Sequence, residues 1–72
     1  MDIRRMTGLI VQRGPEYFVG RVIGTSDLRW SRSPWDAWFT RDREAARKVA
    51  QYVGGYLALF NPVAGQIREA VL

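Results

Sequence analysis

Ten residues, Arg29-Trp30-Ser31-Arg32-Ser33-Pro34-Trp35-Asp36-Ala37-Trp38, bring together three tryptophans and two arginines. Cations interleaved with large aromatic faces suit two kinds of work. They stack on nucleic-acid bases while holding phosphates, or they anchor a protein surface. A plainer role competes. A chain of 72 residues needs large side chains to fill its core. Trp30 is expected inside, and Trp35 can simply close the open end of a small sheet. An exposed, functional role then falls to Trp35 or Trp38.

A second cationic group follows at Arg41 and Arg43, where a helix is expected to begin. The macrodipole is already positive there, so each cation costs about 0.3–1 kcal/mol. A cationic helix start can receive a phosphate or carboxylate. Equally, it is a solvated surface eased by Asp42 and Glu44 and by charge spacing along the helix. Arg4, Arg5 and Arg13 read as a solvated N-terminal region or, more sharply, as a basic arm following a nucleic-acid backbone.

Other chemistries find little material. There is no histidine to act as a base near neutral pH and no cysteine to act as a nucleophile or metal ligand. Asp2, Glu16, Asp27, Asp36, Asp42, Glu44 and Glu69 are scattered among turns and helix starts, where acids serve as caps. Gly20, Gly24 and Gly54-Gly55 match no phosphate-cradling fingerprint. No catalytic residue, metal site or cofactor is expected, and the chain is read as a non-enzyme.

Net charge is +4, and ten of the eleven basic residues are arginine. The guanidinium fork fits phosphate and carboxylate, which favours an acidic partner. A GC-rich genome gives the same bias through its codons. Apolar residues make up 47%, enough to fold. Nothing approaches the 18 or so apolar residues of a membrane span. Met1-Asp2-Ile3-Arg4-Arg5 lacks the apolar stretch of a signal peptide. The expectation is one soluble, cytoplasmic domain over residues 1–72, in a bacterial host cell, without a membrane partner.

Several elements must position these groups. Thr7 to Val11 and Tyr17 to Ile23 read as strands joined through Arg13-Gly14-Pro15-Glu16 by a loop of three to four residues. Leu28 to Ser31 reads as a third strand, after the turn Gly24-Thr25-Ser26-Asp27. Ser33-Pro34-Trp35-Asp36 has the order of a capped helical turn. Thr40 is the expected cap of a helix from about Arg41 to Val53, with Ala45, Ala46, Val49, Ala50 and Val53 on one apolar stripe. Gly54-Gly55 stops it. Tyr56 to Phe60 is a further strand, and Gln66 to Leu72 is open between strand and helical tail. The fold class is α+β: an antiparallel sheet of three to five strands with one helix on one face. The expected core includes Phe18, Val22, Trp30, Phe39, Val49, Val53, Leu57 and Leu59. So small a core supplies only about 3–5 kcal/mol of net stability, which leaves room for a homodimer, with Gln66 to Leu72 as its pairing segment.

The order of features resembles small, mostly uncharacterised phage and prophage accessory proteins. The resemblance rests on Trp30-Ser31, on Ala37-Trp38-Phe39, on the helix Thr40-Arg41-Asp42-Arg43-Glu44-Ala45-Ala46-Arg47-Lys48-Val49-Ala50, on the Gly-Gly stop, and on the turn Asn61-Pro62-Val63-Ala64-Gly65. It covers roughly residues 8–65. Ala37 and Phe39 stand closer together than in that pattern, and Trp35 and Trp38 add bulk. Some proteins of this class inhibit host defence, CRISPR effectors among them, and the class has no shared catalytic site to carry over. The resemblance implies a non-catalytic inhibitor of a host protein or ribonucleoprotein complex with an acidic surface. The residues expected to make the contact are Arg29, Arg32, Trp35, Trp38, Arg41 and Arg43. The alternative is a small basic nucleic-acid binder, using arginine for phosphates and tryptophan for stacking.

Overall fold

The computed structural model describes residues 7–69; Arg4 and Arg5 lie outside the described residues, as does 70–72. Strands β1 (Gly8–Arg13), β2 (Glu16–Arg21) and β3 (Leu28–Ser31) come first, then a 3₁₀ turn at Pro34–Asp36 and helix α1 (Arg43–Val53). Strands β4 (Tyr56–Asn61) and β5 (Gln66–Glu69) complete the chain. The sheet is antiparallel throughout, in the order β3-β2-β1-β4-β5. The ambiguous segment after Gly65 is therefore a strand over Gln66–Glu69, at the sheet edge. The β1–β2 loop is tighter than expected, because Arg13 pairs with Glu16 and only Gly14-Pro15 lie between.

Alternation divides each strand between two faces. Leu9, Val11, Phe18 and Leu57 meet Ala46, Ala50 and Val53 of α1, with Leu28, Trp30, Trp38 and Val49 packed around them. Of the stripe expected for the helix, Ala46, Ala50 and Val53 are buried, Val49 is partly buried against them, and Ala45 lies at the margin. The other face carries a second cluster, Ile10, Ala58 and Phe60, against which Tyr17, Ala37 and Ile67 pack.

Helix α1 starts two residues later than expected. Asp42, not Thr40, is its N-cap, and its carboxylate accepts from the Glu44 and Ala45 amides at 3.0 and 3.3 Å. Thr40 is engaged elsewhere. Its amide donates to the Leu9 carbonyl (3.0 Å), and its carbonyl accepts from the Leu9 amide (2.7 Å). A backbone paired in this way to β1 cannot also enter a helix. Gly54 closes the helix in the left-handed region (φ 73°), which glycine enters without penalty.

Three expected core positions, Val22, Leu59 and Phe39, are exposed. Val22 lies beyond the end of β2, and a bulge between Phe18 and Gly20 reverses the faces of the residues that follow. Leu59 faces the helix side between its register partners, Leu9 of β1 and Arg68 of the edge strand, and is 37% exposed. Phe39 is 38% exposed. Its ring lies so close over Gly8 that a Cβ there would collide with it.

Candidate partner-binding surface

The segment that follows β3 changes sides of the sheet. Strands β1 and β2 pair only at their hairpin end, Gln12 with Tyr17 and Arg13 with Glu16. Below that point they part, and the chain from Trp38 to Thr40 occupies the gap. The Trp38 amide donates to the Phe18 carbonyl of β2 (2.8 Å), while Thr40 bonds Leu9 of β1. Ala37 packs with the helix-free cluster and Trp38 with the helix-side cluster, so the crossing falls between them.

This crossing divides the six expected contact residues. Trp38 packs against the core and meets Phe18 edge-on, with ring centroids 6.5 Å apart. It is part of the interior rather than surplus bulk. Trp35 stays on the helix-free side, 61% exposed. Its indole N–H donates to the Pro62 carbonyl (3.1 Å), and its ring stands edge-on to Phe60 at 5.4 Å. Arg29 lies between Leu28 and Trp30, both packed on the helix side, and therefore points to the helix-free side. Arg32 follows β3 and is exposed. Arg41 and Arg43 come after the crossing, on the helix side, one before and one after the Asp42 cap. The structure keeps Arg29, Arg32 and Trp35 ahead of the crossing and puts Trp38, Arg41 and Arg43 behind it.

The acids are largely spoken for. Asp42 caps α1, Asp36 accepts from the Ser31 hydroxyl at 3.0 Å, and Glu44 pairs with Arg47 at 3.5 Å. Arg21, Arg29, Arg32, Arg41 and Arg43 are all exposed, and none forms an ion pair among the described residues. Five guanidinium groups without a direct ion pair among the described residues thus fall within residues 21–43, against three carboxylates, Asp27, Asp36 and Asp42.

Arg13 is not part of a loose arm. Its guanidinium lies 4.0 Å from the Trp30 ring centroid and donates to the Val53 carbonyl at 3.3 Å. A cation at a helix C-terminus, stacked on indole, is a structural bond. Among the described residues, no group of three or more acidic side chains is placed to hold a metal ion.

Sequence reasoning placed the β2–β3 turn at Gly24-Thr25-Ser26-Asp27 but ran the strand on to Ile23 and so missed the exposed apolar pair at its tip. Ile23 is 99% exposed there, beside Val22 at 40%. The available signal was two β-branched apolar residues immediately before Gly24-Thr25-Ser26-Asp27, where a surface turn offers nothing to bury them. A second missed feature is the cross-strand row Ser31, Tyr17, Gln12 and Tyr56 on the helix-free face. Asp36 bonds Ser31 at one end of that row, and Glu69 lies opposite Ala58 next to it.

The chain matches no protein-family model, no curated protein and no solved structure.

Proposed function

We propose that the protein is a non-catalytic binding module that occupies an acidic surface on a host protein or ribonucleoprotein complex and so inhibits it. The phage-accessory resemblance supplies the setting: a nucleic-acid-processing or defence machine. The observation that carries the reading is the set of five exposed arginines without ion-pair partners among the described residues, together with Trp35, whose ring is open to solvent while its N–H is tethered. A tethered aromatic loses little freedom on binding, and interface energy concentrates in tryptophan and arginine. Arg29, Arg32 and Trp35 form the first group of contacts. Arg41 and Arg43 extend the charge around the helix start, and Trp38 supports the surface from inside.

The test is capture of the host complex by wild type and by the double variant Arg32→Ala with Trp35→Ala. Both positions are exposed, so circular dichroism should show a folded variant. Loss of capture and of inhibition by the folded variant is expected. Retention would move the contact to the residue 1–6 end.

A further inference from the structure

Below Phe18, β2 has lost β1 as a neighbour, so among the described residues β2 and β3 continue as a two-stranded ribbon paired only with each other. The turn at its tip is well bonded. The Val22 amide donates to the Asp27 carbonyl (2.9 Å), and the Thr25 amide and hydroxyl both donate to the Val22 carbonyl (3.1 and 3.0 Å). The Thr25 hydroxyl in turn accepts from the Asp27 amide at 3.1 Å. This ordered loop holds Ile23 outward, 99% exposed, with Val22 behind it. No contact inside the described fold accounts for a large apolar side chain held there.

The flanks of the tip are cationic on both faces. Arg21 pairs with Leu28, whose side chain lies on the helix side, while Arg29 pairs with Gly20 on the other. Neither arginine has an acidic partner among the described residues. Asp27 is the one acid between them. Arg32 adds a further cation at the far end of β3.

We propose that the β2–β3 ribbon is a duplex nucleic-acid arm. Ile23 enters the minor groove as an apolar wedge between base steps, and Arg21 and Arg29, on opposite faces of the ribbon, hold the two phosphate walls. Apolar wedges in the minor groove unstack a step and kink the helix toward the major groove, which opens a groove otherwise only about 6 Å wide. Arginine supplies the charge that brings the ribbon there. This deepens the reading above, because it names nucleic acid as a component of the complex that the arginine-bearing region touches. The tyrosine row is the weaker surface for a polyanion, since Asp36 and Glu69 flank it.

The experiment uses free duplex DNA of about 20 base pairs, A·T-rich and carrying 2-aminopurine at one central step, with no host protein present. Wild type is expected to bind with affinity falling steeply with salt, and to raise 2-aminopurine fluorescence as the step unstacks. Ile23→Ser should abolish the fluorescence rise and leave the salt slope unchanged. Arg21→Ala with Arg29→Ala should weaken binding about tenfold and reduce the slope by about two phosphate contacts. Absence of duplex binding at low salt, or an undiminished fluorescence rise with Ile23→Ser, overturns the arm. So does tighter binding to anionic vesicles than to the duplex. If the arm fails while Arg32→Ala with Trp35→Ala still loses the host complex, the binding-module reading stands alone. If the arm holds while that variant keeps the complex, the converse is true.

Discussion

Trp35 and Trp38 stand three residues apart and end on opposite sides of one sheet. Trp38 completes a cluster covered by a regular helix. Trp35 completes a cluster covered by the 3₁₀ turn Pro34–Asp36 and the irregular strap of residues 32–40 around it. The helix side is built from a repeating stripe, Ala46, Ala50 and Val53, that meets alternating residues of β1, β2 and β4. The strap side has no repeat. Ile10, Ala58 and Phe60 are buried there, at 2% exposure or less, under side chains from Tyr17, Ala37 and Ile67 and the edge of Trp35. The contrast shows two ways for a small domain to close its sheet: a periodic element that protects its own backbone, and an irregular one that must be tied down bond by bond.

The largest expected effect is on the helix side. Ala46 is fully buried, so Ala46→Glu puts an unpartnered charge in the core. The cost should exceed a net stability of about 3–5 kcal/mol, and circular dichroism at room temperature should show an unfolded chain. Val49→Asp is expected to unfold it as well, whereas Arg47→Glu, on the exposed face, should stay folded.

Phe60→Ala puts the strap side to the same test. Phe60 is 2% exposed, and its removal should cost about 3–4 kcal/mol by urea denaturation. A cost below about 1 kcal/mol would show that the strap does not close a true core.

The two tryptophans sharpen the comparison directly. Trp38→Ala should cost about 3 kcal/mol, since the indole packs on Phe18 and the helix-side cluster. Trp35→Ala should cost about 1–1.5 kcal/mol, because one hydrogen bond and an edge contact are lost from a ring that is mostly solvated. Equal costs in thermal melts would erase the distinction between core and surface tryptophan.

The smallest effects concern the helix start. Asp42→Ala should cost about 1 kcal/mol through loss of the cap. Thr40→Ala, which removes a γ-methyl and the hydroxyl that accepts from the Asp42 amide at 3.1 Å, should cost about 0.5 kcal/mol. The reverse order in urea titrations would restore Thr40 as the cap.

Local rules fix much of this protein. The helical stripe, the Gly54 cap, the third strand and the antiparallel α+β class follow from apolar spacing and turn chemistry, which act over a few residues. The abundance of arginine in residues 21–43 is read directly from composition. Other features depend on contacts distant in sequence. The bulge after Phe18, which turns Val22 outward, is a property of β2 against β3 and leaves no mark in apolar alternation. The start of α1 at Arg43 depends on Leu9 claiming the backbone of Thr40 some thirty residues away. The separation of Trp35 from Trp38 depends on a gap between β1 and β2 that the chain itself fills. Spacing shows which residues a helix can bury, because periodicity is a property of one segment. Which side of a sheet an irregular segment reaches is decided by hydrogen bonds to other strands, and those exist only once the sheet is assembled.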